Sequence, residues 1–205
     1  MTSLRYPIPA GRHRAEQVIE RSRFMCSLAH AESAEAAQAF VREMNGEFPE
    51  ATHNCWAFVC GAPGDTNQVG MSDDGEPHGT AGRPMLTVLL HSGVGEIVSV
   101  VTRWYGGTKI GTGGLVKAYG GAVQLALEAM PRAERVDRAE VRLVIGYSAI
   151  SAVQRLLPAL EVEVVSDAFG ADVTYQLRLP RVNLAELQRQ VADVTRGEAR
   201  IERVP

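Results

Sequence analysis

The 205-residue sequence predicts an α+β chain in two parts, a mixed α/β segment over residues 1–136 and a smaller domain over residues 137–205. Three observations predict it. A helical pattern stops at Met130-Pro131 and a short polar stretch runs to Val136, which marks a boundary. Beyond that boundary, strand and helix periodicities alternate cleanly. Ahead of it, a strand apolar on both faces runs through a glycine-rich turn into a helix.

In the first part, Glu16 to Arg21 and Phe24 to Ala29 read as strands joined by a short polar turn. Ser33 caps a helix whose apolar stripe is Ala37, Phe40, Val41, Met44 and Phe48. His53 to Cys60 is a strand on which His53 and Cys55 share one face and Cys60 takes the other. Gly61 to Gly82 reads as a long loop and Pro84 to Leu90 as a helix. Ile97 to Trp104 is the central strand, and the helix after it turns Leu115, Tyr119, Ala122, Val123, Ala126 and Met130 inward.

In the second part, Val141, Leu143 and Ile145 alternate as a strand. Ile150, Val153, Leu157 and Leu160 follow at helical spacing behind Ser148 as cap. Val162 and Val164 mark a second strand, ending at the turn Asp167-Ala-Phe-Gly170, and Val173, Tyr175, Leu177 and Leu179 a third. Asn183 with Glu186 forms a capping box for a helix faced by Leu184, Leu187, Val191 and Val194, and Glu198 to Val204 closes as a strand. The order β-α-β-β-α-β is the ferredoxin-like plait. Its open face carries Glu140, Arg142, Glu161, Glu163, Thr174, Gln176, Arg200 and Glu202 without aromatics, which speaks against base stacking on that sheet.

A net charge of −3 calls for neither nucleic acid nor a membrane surface, and no apolar run approaches the roughly 18 residues a membrane span needs. Met1 to Gln17 lacks an apolar core and a small-residue cleavage site, so no secretory leader is expected. Three cysteines without C-x-x-C spacing argue against a disulfide framework or a paired-thiol zinc site. A cytoplasmic location is expected.

The segment Arg103 to Gly121 carries the most information. Strand, glycine turn and helix N-terminus together expose backbone N–H groups to an anion. The only two lysines, Lys109 and Lys117, both fall here, and no Asp or Glu occurs between Glu96 and Glu128. A P-loop is excluded, because Thr112 and Gly113 follow the Gly106/Gly111 pair where Lys and Ser/Thr are required. Gly-x-Gly-x-x-Gly fails at Val116. The candidate binding set is Arg103, Trp104, Tyr105, Gly106, Gly107, Lys109, Gly111, Thr112, Gly113, Gly114 and Lys117, with Trp104 and Tyr105 read either as base-stacking rings or as core. A second cluster, Met71 to Pro84, offers Asp73, Asp74, Glu76 and His78. It reads as a solvated acidic turn whose aspartates cap it and pair with Lys109 or Arg103, or as a divalent-cation or acid–base group. His53 is an additional contributor beside it. No catalytic residue, metal site or cofactor is assigned.

The motifs Ser72-Asp-Asp-Gly-Glu-Pro-x-Gly-Thr-Ala-Gly-Arg-Pro84 and Arg103-x-Tyr-Gly-Gly-x-x-x-Gly-Thr-Gly-Gly-Leu-Val-Lys-Ala-Tyr119 resemble those of the YigZ/IMPACT family, and the Ser22-Arg-Phe24 element fits it too. The resemblance implies a ribosomal protein S5 domain 2-like first domain and a ferredoxin-like second one, a tandem similar to the last two domains of the translocating elongation factor. It also implies translation regulation, since the eukaryotic member competes for the activator of a starvation-sensing kinase. That partner does not carry over to bacteria. Trp104, where Tyr is common, and His78, where a small residue is usual, depart from the pattern.

Three functions follow as expectations. The first is a non-enzymatic regulator whose glycine-rich cationic loop contacts the translation machinery: ribosome, RNA or a translation-associated protein. The second is a binding protein or enzyme for a small phosphorylated ligand, with phosphate on Gly106–Gly114 and Mg²⁺ on Asp73, Asp74 or Glu76. The third is an adaptor that binds protein through the open plait.

Overall fold

A computed structural model describes residues 5–204; Met1 to Leu4, part of the segment read for a leader, and Pro205 lie outside the described residues. The chain divides into two compact units, Met1–Arg135 and Val136–Pro205. Both are mixed α+β.

In chain order the first unit holds β1 (Arg5–Pro9), β2 (His13–Ile19), β3 (Ser22–His30), α1 (Ala34–Glu47), β4 (His53–Val59), β5 (Val69–Ser72), α2 (Gly82–His91), β6 (Ile97–Trp104) and α3 (Gly111–Ala129). β2, β3, β6, β4 and β5 pair in that order, antiparallel throughout. β6 is central, as its two-sided apolar pattern predicts. One face of the sheet packs Phe24, Cys55 and Val101 beneath α2 and α3 through Met85, Leu115 and Tyr119; the other packs Ala29, Phe58, Val98 and Val100 beneath α1 through Phe40, Val41 and Met44. Ser33 caps α1, its Oγ accepting the Ala36 N–H at 3.2 Å. Within the predicted long loop, Val69–Ser72 adds the edge strand β5, too short for its alternation to show in the sequence. The polar stretch before the boundary is a strand as well: β7 (Arg132–Val136) pairs with β1 as a two-stranded ribbon.

The second unit runs β8 (Arg138–Ile145), α4 (Ile150–Leu156), β9 (Glu163–Phe169), β10 (Val173–Pro180), α5 (Leu184–Thr195) and β11 (Arg200–Arg203). Its strand order, β11-β8-β10-β9, is that of the ferredoxin-like plait. Four local expectations are corrected. Ser148 lies inside a 3-10 turn and makes no cap bond to α4. The chain enters α5 through another 3-10 turn, so the backbone of Asn183 is already helical; its side chain donates to the Leu160 carbonyl at 2.9 Å, and Glu186 pairs with Arg189. β9 extends through the predicted turn to Phe169 and is exposed along its whole length, Val164 included, because the two-turn helix α4 is too short to cover this edge. Val194 is likewise exposed, and Thr195 takes the buried position.

Candidate functional site

Strand parity decides which side chains meet. Arg103 is the next-to-last residue of β6 and shares the α2/α3 face with His53, directly opposite it on β4. Trp104, one residue on, emerges on the other face, edge-on to Phe48 at 5.6 Å and under the Arg23 guanidinium at 3.7 Å. Of the two readings of Trp104, packing is the one the geometry supports.

The acidic loop between β5 and α2 is built from inside. The Asp73 carboxylate accepts the N–H groups of Gly79, Ala81 and Gly82 at 2.7, 3.0 and 2.9 Å, and so caps α2 from outside the helix. Burial alone would raise its pKa, but these three donors outweigh that and hold it below the ordinary 3.8. Asp74, at φ 41°, accepts the Asn54 N–H at 2.6 Å through its carboxylate, and its carbonyl accepts His53 Nδ1–H at 2.7 Å. Glu76 turns inward: its Oε1 accepts Arg103 Nη1 at 2.5 Å and the Tyr119 hydroxyl at 2.7 Å. Both partners of this ion pair are buried. Arg103 also donates to Ser22 Oγ at 3.3 Å and stands 5.2 Å from the Phe24 ring centre and 5.4 Å from that of Tyr105.

Above this group opens a cavity of about 490 Å³. Glu76, His53 and Arg103 line it from below, Tyr105, Pro77, Ile110 and Leu115 form apolar walls, and Thr52, Lys109, Gly111 and Thr112 complete the lining. α3 begins at Gly111 with no side-chain cap and no acidic residue in its first turn. Gly111, Thr112, Gly113 and Gly114, read from the sequence as loop, are that first turn. Gly106 and Gly107 form the connection, where Gly106 N–H donates to Ser22 Oγ at 3.2 Å.

The predicted cationic set is therefore divided. Arg103 is neutralised by Glu76, Lys109 lies at the cavity, and Lys117 lines a separate groove of about 610 Å³ between α2 and α3, with Arg83, Gly120 and Gly121. The aspartates, expected to cap the turn and to pair with Lys109 or Arg103, bond backbone N–H groups instead, and it is Glu76 that pairs with Arg103. The three carboxylates have separate partners, and among the described residues no three His, Cys, Asp or Glu side chains form a metal-holding group. Burial pushes the Cys55 thiol well up, and its Sγ contacts the Asp73 carbonyl at 2.9 Å, so Cys55 is structural. Sequence reasoning missed Ser22 and Tyr119 as partners within the group. Both belong to motifs of the resemblance, but their apolar surroundings read only as core.

Asp73 gives a prediction with a defined pH sign. Its folded-state pKa is depressed, so its stabilisation is full above 3.8 and is lost as pH falls through the lower folded value. Asp73→Asn is expected to cost about 1 kcal/mol at pH 7, the scale of a lost cap. That gap should close below the carboxylate range in urea unfolding followed by tryptophan fluorescence. A gap that persists undiminished in acid would contradict the capping role.

Comparison with known proteins is decisive about kinship. Residues 20–127 match the Impact N-terminal domain and residues 143–198 match a domain of unknown function, DUF1949. The chain is 43% identical over 194 residues to IMPACT family member YigZ of Escherichia coli K12, covering 95% of each. The chain belongs to the IMPACT family. An IMPACT family member of Haemophilus influenzae is 40% identical over 197 residues, covering 96% of each. A crystal structure of a hypothetical protein, 41% identical, aligns over 100% of this chain and 98% of its own with a TM-score of 0.69. No helix among the described residues is long and apolar enough to cross a membrane.

Proposed function

We propose that the chain is a non-enzymatic regulator of translation that contacts the ribosome or its RNA through the mouth of the β6–α3 cavity. The observation that carries this reading is electrostatic. Lys109 and the uncapped first turn of α3 lie together at the cavity, while Glu76 is held by Arg103, Asp73 by the amides before α2, and Asp74 by Asn54. What remains at this surface is one ammonium beside the positive end of a 19-residue helix, which favours phosphate oxygens. Tyr105, 44% exposed, adds a ring on which a base can stack. A Mg²⁺ site on the acidic loop has less support, because each carboxylate would first have to leave its present donors.

The test is sedimentation of the purified chain with ribosomal subunits across a salt series. The expected result is co-sedimentation at low salt that falls steeply as salt rises. Failure to sediment at any salt would overturn the proposal.

A further inference from the structure

His53 and Glu76 turn two unfilled hydrogen-bond acceptors into the cavity. The Asp74 carbonyl can only accept, so His53 Nδ1, 2.7 Å away, carries a ring proton, and in that tautomer of the uncharged ring Nε2 is the acceptor. Glu76 Oε1 receives both Arg103 and Tyr119, whereas Oε2 receives no hydrogen bond. Nε2 and Oε2 stand 3.9 Å apart, too far to bond each other, and Glu76 is only 8% exposed. Both residues line the cavity, and neither is free to turn away, being fixed by Asp74 on one side and by Arg103 and Tyr119 on the other.

The complementary ligand has two adjacent N–H donors at one end, a flat apolar body for the space between Tyr105, Ile110 and Leu115, and an anion at the other end for Lys109 and the first turn of α3. Among the bases, guanine alone places two donors, its ring N1–H and exocyclic N2–H, side by side on one edge. Adenine and cytosine offer one donor next to an acceptor, which would face a lone pair here. We propose that this cavity is a binding site for a single guanine nucleotide, either unstacked from RNA or free. The proposal rests on the function proposed above and names the chemical group that surface takes.

The experiment is calorimetric titration of the full chain with GMP, IMP, AMP, UMP and guanosine, and with oligouridine carrying one central guanosine or none. GMP is expected to bind at least tenfold more tightly than AMP or UMP. IMP, which lacks the exocyclic amine, and guanosine, which lacks the phosphate, should each bind severalfold more weakly than GMP. His53→Ala and Tyr105→Ala should each weaken GMP at least fivefold at a temperature where both variants still unfold cooperatively from a folded baseline. A preference for the guanosine-bearing oligomer over GMP identifies RNA as the source, and the reverse identifies free nucleotide. Equal binding of GMP and UMP, no binding at millimolar GMP, or a GMP affinity unchanged in both variants would overturn the proposal. If the chain still sediments with ribosomal subunits in such a case, the guanine site fails alone; guanine binding without sedimentation would sink only the ribosomal reading.

Discussion

Glu76→Gln is expected to lower the stability of the first unit by about 3 kcal/mol, a large share of what a domain of this size possesses. The side chains of Glu76 and Arg103 are only 4% and 6% exposed. Removing one charge therefore leaves the other buried without a counter-charge, and the loss is set by that uncompensated ion rather than by the worth of the pair. Both tryptophans, Trp56 and Trp104, belong to this unit, so their fluorescence in a urea titration reports its unfolding. The double variant Glu76→Gln/Arg103→Met should recover part of the loss, because it removes the guanidinium left buried without a counter-charge. A single-variant shift under about 1 kcal/mol, the scale of an exposed ion pair, would contradict the burial argument.

Gly106→Ala should be at least as damaging, for a steric reason. An added Cβ would lie 1.9 Å from the Arg21 carbonyl oxygen and 2.1 Å from its carbon. These are backbone atoms of the two-residue turn between β2 and β3, where Glu20 and Arg21 already hold φ of 46° and 65°. Such a turn cannot swing aside without disturbing Ser22, whose Oγ receives both Gly106 N–H and Arg103. We expect a loss of about 3 kcal/mol or more, at the upper end of overpacking effects. Gly113→Ala is the internal contrast. Nothing lies within 4 Å of its Cβ position and it sits in the first turn of α3, so alanine should stabilise by about 0.5–1 kcal/mol. Equal effects at the two positions would contradict the contact at Arg21.

The difference between these two glycines shows what the sequence could and could not disclose. Their neighbourhood reads as one glycine-rich loop, yet Gly106 is required by a chain segment 85 residues earlier, while Gly113 belongs to a helix start. Elements with strong periodicity were legible: the two-sided apolar run of β6, the inward face of α3 and the alternating strands of the plait. Elements shaped by distant partners were not. Asn183 looks like a cap until the preceding turn makes its backbone helical, and Val164 looks inward until α4 proves too short to cover it. At the candidate site, one-letter spacing collected Arg103, Lys109 and Lys117 into a single cationic patch. β6 buries the first against Glu76, and α3 carries the third to a different groove. The acidic loop was visible as a motif, but its charges turn out to be spent on a helix cap, a strand amide and a buried arginine.

Because Lys109 and Lys117 line different cavities, they separate the proposed contact surface from its nearest rival. The direct measurement is co-sedimentation with ribosomal subunits for wild type, Lys109→Ala and Lys117→Ala over the same salt series. The account predicts that Lys109→Ala weakens binding and lowers the salt slope by about 1, while Lys117→Ala tracks wild type. Loss of binding on Lys117→Ala with Lys109→Ala unchanged would contradict it, and would place the contact in the groove between α2 and α3.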